Sequence, residues 1–332
     1  MGLQAKNTAE IKDYNLRLIR DTLMCSDILT KKQISNITGL SLATCTSMLA
    51  ELIEKGVVTE LELAESSGGR PARQFCINPD YAHIICFYAD NNGNMPSIRL
   101  RVYNFKGEIL KEIEEVSNRS IAAGQIRTVL SNTLAEFPKV RLAVLGIPGS
   151  LDENGVVEQC DFDSLEGINL KNLIEDEFGI KLIVGNDMYY TALGTYINSK
   201  RKKPFIMTQA YKPNGGAFGA GVVVNGDVLE GPSRFNYQVE NARVLADYFG
   251  DSAGVHPNTK LRNFILISIV FLGVDVVYIR GTATENINLD LLKREVSQIV
   301  LGKSFPDIEV IADIHEDYMT GLFDAARKSL KF

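Results

Sequence analysis

The sequence predicts an α/β protein made of a small winged helix-turn-helix module followed by a larger domain of alternating strands and helices. Three amphipathic helical patterns, separated by short turns, occupy roughly the first sixty residues. Apolar, strand-like runs punctuated by glycine occupy the remainder of the chain, as in α/β domains. Between the two parts lies 66–73, Ser-Ser-Gly-Gly-Arg-Pro-Ala-Arg, whose glycines and proline are typical of a joint.

Composition and charge are those of a soluble globular protein, with 332 residues, 45% hydrophobic and 23% charged. The net charge of -6 excludes a wholly basic nucleic-acid coat, although a local basic footprint remains compatible with it. Apolar runs such as 264–272 are too short to span a bilayer, and the N-terminus does not resemble a secretory leader. We therefore expect a cytoplasmic protein without membrane contact.

Cysteine and histidine are too dispersed to predict a disulfide framework or a zinc site. The sequence has 5 Cys and 3 His, and no Cys-x-x-Cys pair occurs among them. The cysteines are Cys25, Cys45, Cys76, Cys86 and Cys160. We expect no metal and no cofactor.

The first two helices follow from apolar spacing and from a capping pattern. One face of the first helix carries Leu16, Ile19 and Leu23. A second, short helix is predicted over 31–38, because Thr30 and Gln33 stand at the two positions of a capping box. Within this helix we expect Ile34 and Ile37 to face inward.

A third helix follows after a turn of a few residues. Gly39 ends the second helix, Ser41 is the expected N-cap of the third, and Gly56 ends it. The apolar residues of this helix are Leu42, Met48, Leu49, Leu52 and Ile53. A strand is predicted at 57–63, and 75–79 closes the hairpin. Three helices followed by a hairpin is the order of a winged helix-turn-helix.

The start of the third helix is the candidate DNA-reading surface, since this helix lies in the major groove in such folds. It offers Ser41, Leu42, Ala43, Thr44, Thr46 and Ser47. We select Ser41, Thr44, Thr46 and Ser47 as DNA-binding candidates, with Lys31 and Lys32 of the second helix. No arginine is available there for bidentate guanine contacts. Residues 1–80 hold 9 basic and 10 acidic residues, so a dimerisation or protein-binding module remains the alternative.

Several motifs of this region together resemble the N-terminus of ROK-family transcriptional repressors, a family of repressors, open reading frames and kinases. The motifs are Asn15 with its helix, Thr38-Gly39-Leu40-Ser41, the segment 51–56, and Gly68-Gly69-Arg70-Pro71. The family includes xylose, N-acetylglucosamine and glucose-responsive repressors. The resemblance implies a winged helix-turn-helix domain at 1–80. It further implies a ribonuclease H-like (actin/hexokinase-like) two-lobed sugar kinase fold at 81–332, with lobes of about 81–185 and 186–332.

In that family the Gly-Arg-Pro segment joins the wing to the sugar-binding domain and can approach the DNA minor groove. Arg70 and Arg73 suit this role, because a narrow minor groove concentrates negative potential. The alternative is a plain linker that carries two solvated cations.

The larger domain is predicted element by element from apolar runs and glycine turns. Strands are expected at 83–90, at 97–104 with a return strand that ends at 116, and at 142–147, 182–186, 204–210, 274–280 and 308–312. Helices are expected at 121–137, 188–198, 259–272 and 318–330. A further hairpin is expected around Asn154-Gly155. Gly321 is expected to allow close packing of the last helix.

The resemblance also assigns sugar-binding positions, namely Pro148, Gly149, Asn186, Asp187, Gln238 and Asn241. In ROK sugar kinases an Asn-Asp pair holds sugar hydroxyls and supplies the general base, and Asn186 and Asp187 match it. Gln238 and Asn241 stand where the family has glutamate and histidine. The alternative for the Asn-Asp pair is simple capping of the following helix.

Kinase chemistry is not expected, because the phosphate loops are altered. The first loop, Asp-x-Gly-Gly-Thr in ROK kinases, keeps only Asp90 and Gly93. The second keeps Gly215, Gly216 and Gly219, but Ala217 replaces a usual glycine. The zinc-binding cysteine motif of the family is absent. Asp187 is then a vestigial base, and the chain is expected not to be an enzyme.

The sequence thus predicts a DNA-binding transcriptional regulator of carbohydrate metabolism, a repressor. Its ROK domain would sense a sugar, sugar phosphate or other sugar derivative without catalysis, or serve only for oligomerisation. The expected partner is a double-stranded operator with an inverted repeat, bound by a homodimer or homotetramer. The alternatives are a non-DNA-binding interaction protein on a degenerate ROK scaffold and, third, a sugar kinase.

Overall fold

Three helices and a small sheet form the N-terminal part of the chain in a computed structural model. The model describes residues 8–61, 72–90, 95–199, 205–210, 219–229, 257–280, 287–299, 305–311 and 313–330. The helices are α1 (Thr8–Met24), α2 (Lys31–Thr38) and α3 (Leu42–Glu54). The antiparallel sheet has the order β1-β3-β2, from β1 (Leu29–Thr30), β2 (Val58–Leu61) and β3 (Gln74–Ile77). The predicted winged helix-turn-helix is confirmed. The strand β1 was not predicted, because two residues are too few to show a strand pattern.

The predicted caps of the helix-turn-helix are present. The Gln33 side chain accepts from the Thr30 backbone nitrogen at 2.8 Å, which completes the capping box. Gly39 ends α2 with φ 73°, a left-handed conformation that favours glycine. Ile34 is buried as predicted, but the inward prediction for Ile37 is wrong, since its side chain is 60% exposed. In this short helix the core-facing side is centred on Ile34, and Ile37 in the last turn lies beyond it.

The first large sheet has the order β10-β7-β4-β5-β6. Its strands are β4 (His83–Asp90), β5 (Ser97–Tyr103), β6 (Ile109–Val116), β7 (Val140–Ile147) and β10 (Lys181–Asn186), and a separate hairpin holds β8 (Gly149–Leu151) and β9 (Val157–Cys160). Two helices accompany this part, α4 (Ala123–Glu136) and α5 (Leu170–Phe178). The central strand β4 is buried on both faces, which explains its continuous apolar sequence.

The second large sheet has the order β13-β12-β11-β14-β15. Its strands are β11 (Phe205–Ala210), β12 (Gly219–Val224), β13 (Asp227–Val228), β14 (Val276–Arg280) and β15 (Asp307–Ile311). The helices of this part are α6 (Asp187–Asn198), α7 (Pro257–Leu272), α8 (Leu289–Ile299) and α9 (His315–Ser329). Two mixed sheets with helices between them agree with the predicted two-lobed fold. The helices α5 and α8 were not among the sequence predictions.

Helices α6 and α9 lie between the two sheets and pack so closely that their backbones are in contact. A Cβ atom at Gly194 would overlap the Asp317 carbonyl oxygen, and one at Gly321 would overlap the Tyr190 carbonyl oxygen. Only glycine fits at either position without displacing the partner backbone. The predicted close packing at Gly321 is therefore present.

The helix-turn-helix is fixed to the α/β part through the end of α9. Arg20 of α1 is 1% exposed, and its Nη1 donates to the carbonyl oxygens of Arg327 (3.1 Å) and Leu330 (3.3 Å). Carbonyls of a last helical turn have no intrahelical partner, so a guanidinium group satisfies them well. One hydrophobic core continues across this junction, from Leu16 of α1 to Leu322 of α9.

The described part of the chain contains neither a membrane-spanning helix nor a metal-binding cluster. Among the described ranges, no helix is both long and apolar enough to cross a membrane. Within those same ranges no cluster of three or more His, Cys, Asp or Glu side chains is suited to a metal ion. All five cysteines are free, and three of them, Cys45, Cys86 and Cys160, are buried.

Candidate functional site

The N-terminal half of α3 presents a continuous exposed face. Leu42, Ala43, Thr46, Ser47 and Ala50 are all exposed and lie within an arc of about 140° at about 100° per residue. The buried residues of α3 lie on the opposite side: Cys45, Met48, Leu49 and Leu52. The fold thus leaves free the helix face that would enter a DNA groove.

Six of the eight predicted DNA contacts lie together at this surface. They are Lys31, Lys32, Ser41, Thr44, Thr46 and Ser47. The Lys31 ammonium group donates to the Thr46 hydroxyl at 2.9 Å, which joins the start of α2 to α3. Lys32 is exposed beside it. Cations at the edge of an uncharged helix face suit phosphate contacts on either side of a groove.

Of the two arginines in the predicted DNA-contacting joint, the structure describes only Arg73. Arg73 is 68% exposed in its side chain and forms an ion pair of 2.7 Å with Glu60 across the wing. An exposed pair of this kind contributes little to stability and is readily exchanged for another anion. Arg70 lies outside the described residues.

Asn186 lies at the junction of β10, α6 and the β8–β9 hairpin. Its amide oxygen accepts from the Met188 backbone nitrogen at 2.7 Å, so Asn186 is the N-cap of α6. Its amide nitrogen donates to the Gly149 carbonyl oxygen at 2.7 Å. Pro148 lies directly before Gly149, half-buried. The structure thus brings together four predicted sugar positions, Pro148, Gly149, Asn186 and Asp187.

Asp187 is the first residue of α6 and has an unusual environment for a carboxyl group. Its pKa is raised to about 7, chiefly by burial and also by the nearby charge of Asp90, against a hydrogen bond from the Met188 backbone nitrogen that lowers it. Tyr318 of α9 is close enough for its pKa to be raised by Asp187 in addition to burial. Among the described residues the Tyr318 hydroxyl has no hydrogen-bond partner. With a pKa of about 7, Asp187 is protonated in about half of the molecules at pH 7, and a carboxyl group with such a pKa can accept or donate a proton near neutral pH.

A cavity of about 360 Å³ opens beside Asn186, between β10, α6 and the last turns of α9. Its walls include Leu151, Val184, Gly185, Asn186, Tyr189, Tyr190, Leu193, Ala325, Lys328 and Ser329. Tyrosines, an amide and one ammonium group give it the mixture of apolar and polar groups found in small-molecule sites. Its size is sufficient for a monosaccharide.

The remaining predicted site residues are divided between described and undescribed positions. Asp90 ends β4. Gly219 begins β12, where a Cβ atom would press on the Met188 side chain of α6. The positions Gly93, Gly215, Gly216, Gln238 and Asn241 lie outside the described residues. The two described residues of this set, Asp90 and Gly219, lie near the start of α6.

Sequence reasoning missed the residues that connect α9 to its surroundings. Arg20 lies on the apolar face of α1, four residues after Leu16. An arginine at a buried position needs a hydrogen-bond partner, so this spacing could have indicated the contact. At the other end of α9, the Tyr88 hydroxyl contacts His315 Nδ1 at 2.9 Å, and His315 Nε2 contacts Glu112 at 2.7 Å. No pattern in the sequence could pair residues so distant along the chain.

Comparison with known proteins identifies relatives over most of the chain. A family model described as winged helix-turn-helix DNA-binding matches residues 17–59. A protein named as a candidate xylose repressor, from Caldicellulosiruptor sp. strain Rt8B.4, is 26% identical over 330 residues, covering 93% of this chain and 78% of the relative. The xylose repressor of Caldicellulosiruptor bescii is 23% identical over 249 residues, covering 72% and 60%. The dual regulator NagC of Escherichia coli K12 is 21% identical over 240 residues, covering 69% and 57%.

Solved structures support the fold. A ROK family transcriptional regulator, described as a homologue of the Escherichia coli MLC protein, superposes with a TM-score of 0.71 at 16% identity, covering 96% of this chain and 97% of that one. The ROK hexokinase of Thermus thermophilus superposes with a TM-score of 0.54 at 12% identity, covering 72% and 96%. The resemblance to ROK-family regulators seen in the sequence is confirmed.

Proposed function

We propose that this chain is a DNA-binding transcriptional regulator, a repressor of carbohydrate-metabolism genes, whose α/β part senses a sugar or sugar derivative. The observation that carries the proposal is the free N-terminal face of α3, in a winged helix-turn-helix anchored by Arg20 to the last helix of a ROK-like fold. Relatives named as xylose repressors support the same role. The domain division at residue 80 and the lobes 81–185 and 186–332 belong to this proposal.

The DNA contacts fall into two classes in this proposal. Residues at the start of α3 face base edges, whereas Lys31 and Lys32 neutralise phosphates. Arg70 and Arg73 approach the minor groove beside the wing, where negative potential is concentrated. Replacing both arginines with alanine weakens binding to all sequences alike, because phosphate and minor-groove charge carry little base information.

The sugar site of the proposal surrounds the start of α6. Pro148, Gly149, Asn186 and Asp187 contribute to it, and Gln238 and Asn241 are the further sugar contacts that the proposal includes. A neutral Asp187 can donate a hydrogen bond to a sugar oxygen as well as accept one from a hydroxyl. The proposal includes no catalysis because both phosphate loops are altered in sequence, with Asp90, Gly93, Gly215, Gly216 and Gly219 as their vestiges.

The signal passes from this site to the DNA-binding module through α9. Ala325, Lys328 and Ser329 line the cavity beside Asn186. The carbonyl oxygens of Arg327 and Leu330, in the same helical end, hold Arg20 of α1. A ligand that prefers one position of this helical end therefore favours one position of α1, and with it α3.

The proposed assembly is a homodimer or homotetramer in the cytoplasm that binds an inverted repeat. A two-fold dimer presents two copies of α3 to successive major-groove segments about one helical turn apart. The proposal includes no cofactor and no metal ion.

The experiment is a selection of binding sites from a pool of random-sequence duplexes with the full chain. We expect enrichment of one sequence with two inverted half-sites. The balanced charge of residues 1–80 favours the second candidate, an interaction protein that binds no DNA. Absence of any enriched sequence at low salt would support that candidate and reject the regulator.

A further inference from the structure

The hydroxyl groups at the start of α3 are already used within the protein. The Ser41 hydroxyl oxygen accepts from the Thr44 backbone nitrogen at 3.1 Å and lies 2.9 Å from the Thr44 hydroxyl. The Thr46 hydroxyl donates to the Leu42 carbonyl oxygen at 2.7 Å and accepts from Lys31 at 2.9 Å. These bonds satisfy most of the capacity that a hydroxyl group has. Three of the four hydroxyl residues predicted to contact DNA are therefore occupied.

Apart from the Ser47 hydroxyl, what remains free on this face is hydrocarbon. Leu42 is 52% exposed, and Ala43 and Thr46 are exposed beside it. With its oxygen bonded on both sides, Thr46 offers its methyl group to a partner. No charged residue occurs in α3 before Glu51. We call Leu42, Ala43 and the Thr46 methyl group the methyl face.

Thymine is the base that presents hydrocarbon in the major groove, because its 5-methyl group projects there. Guanine is read best by arginine, and adenine by asparagine or glutamine, none of which lies on the methyl face. Within the described residues, the Ser47 hydroxyl is the neighbouring group without an internal hydrogen bond. It can accept from or donate to a base edge next to a thymine.

We propose that the methyl face reads thymine 5-methyl groups, so that each half-site carries thymines under α3. This inference rests on the proposed function and specifies how that function selects DNA. Lys31, held by Thr46, and Lys32 supply phosphate contacts that position the helix without selecting bases. Specificity then arises from the burial of methyl groups between helix and groove.

The test begins with the duplex enriched by the full chain in the selection described above. Each thymine is replaced singly by deoxyuridine, which removes only the 5-methyl group. We expect the dissociation constant to rise about four-fold at one or more thymines in each half-site, the effect of exposing one buried methyl group. Thymines outside the contact show no change.

Variants of the protein locate the partner of each methyl group. Thr46→Ser removes one methyl group from each protomer and keeps the hydroxyl bonds. It is expected to weaken binding about four-fold per half-site, or about 16-fold for a dimer, and to abolish the effect of deoxyuridine at one position of each half-site. Leu42→Ala is expected to do the same at another position. Thr46→Val, which keeps the methyl group, binds more tightly than Thr46→Ser. Ile11→Ala, an exposed aliphatic change on α1, serves as the matched control and retains wild-type binding.

The outcomes separate this inference from the proposed function. If an enriched duplex is indifferent to every deoxyuridine substitution, or if Thr46→Ser binds more tightly than Thr46→Val, reading by methyl groups is wrong while DNA binding stands. If no duplex is enriched, the proposed function itself fails. Equal thermal midpoints for the variants, expected at exposed positions, show that affinity changes are not losses of folding.

Discussion

At the scale of single residues, Arg20 is the most consequential side chain outside the two candidate sites. It is buried in α1 and donates to two carbonyl oxygens at the end of α9. Arg20→Ala leaves these carbonyls without a donor. We expect a loss of about 3 kcal/mol in the free energy of unfolding, measured by urea denaturation.

Arg17 is the matched control for Arg20, since it lies on the same helix. Its side chain is 43% exposed and pairs with Asp13 one turn away. Arg17→Ala is expected to cost about 0.5 kcal/mol or less. Equal losses for the two variants would show that Arg20 does not fix α1 to α9.

Asp187 leads to a prediction about pH. Burial raises its pKa to about 7 in the folded chain, above the value near 3.9 of an unfolded carboxyl group. The folded state therefore binds more protons at this site, and the contribution of Asp187 to stability falls as the pH rises from about 4 to about 7. The variant Asp187→Asn has no titratable group at this position. The stability of the variant relative to wild type should increase over that range by up to about 1.4 kcal/mol per pH unit, then level off.

Urea denaturation of both proteins at several pH values measures this difference. The overlapping titrations of other groups cancel in the comparison, because the two chains differ at one position. A difference in unfolding free energy that stays constant between pH 4 and pH 7 would mean that Asp187 titrates as an exposed carboxyl group does.

Residue roles could be predicted where the chemistry is local. The cap at Thr30 with Gln33 and the cap at Ser41 are contained within four residues, and both are present as predicted. The partners of Arg20 lie more than 300 residues away in sequence, at separations of 307 and 310. No spacing rule predicts such a contact, because it depends on how α9 returns to the N-terminal part.

At the scale of elements, the α6–α9 pair joins the candidate sugar site to the DNA-binding module. Its first helix begins at Asp187, and its second ends where Arg20 binds. Near the start of α9, Asp317 is ion-paired with Arg280 of β14, and Arg280 also donates to Thr195 of α6 at 2.7 Å. Both lobes therefore contact the pair. The proposed signalling route requires that these two helices remain in close contact.

Gly321 tests this packing. Gly321→Ala places a methyl group against the Tyr190 carbonyl oxygen, which is rigid helix backbone. We expect a loss of about 2 to 4 kcal/mol in unfolding free energy, because the helices must separate. Thermal or urea denaturation measures the effect.

The control is Gly124 in α4, where a Cβ atom would have no neighbour within 4 Å. Gly124→Ala is expected to be neutral or to stabilise the protein by up to about 1 kcal/mol, since alanine favours helix. If Gly321→Ala were as well tolerated as Gly124→Ala, the α6–α9 contact would not be the rigid junction described.

Elements with a clear apolar period were predicted well, and short ones were not. The strand at His83–Asp90 and the helix at Lys31–Thr38 match the predicted bounds. The two-residue strand β1 is too short for any alternation to be read, and it exists because β3 pairs with it. Ile37 was misassigned because three-residue spacing identifies a face but not which neighbours cover it.

At the scale of the whole molecule, a sugar that binds the folded chain must raise its stability. A panel of monosaccharides and their phosphates, each at about 100 times its dissociation constant, would contribute about 2.7 kcal/mol, or a rise of several degrees in Tm. Sorbitol at the same concentration serves as the osmolyte control. If no compound shifts Tm beyond sorbitol, the sensing part of the proposal gives way to a role in oligomerisation.

The fold of the whole chain was predictable because its motifs resemble a known architecture, and the two sheets follow that architecture. The candidate site was predictable only around Asn186 and Asp187, which are neighbours in sequence. The cavity beside them also requires α9, which approaches from the far end of the chain. Its existence depends on tertiary packing that no local pattern encodes.

DNA binding by the proposed regulator is tested most directly by measuring the affinity of the full chain for the selected duplex at several salt concentrations. In the proposed complex, contacts from Lys31, Lys32, Arg70 and Arg73 would release counterions from phosphates. We expect the logarithm of the association constant to fall linearly with the logarithm of salt concentration, with a slope of about -0.9 for each phosphate neutralised. Binding that is absent at about 50 mM salt, or that does not change with salt, would contradict it.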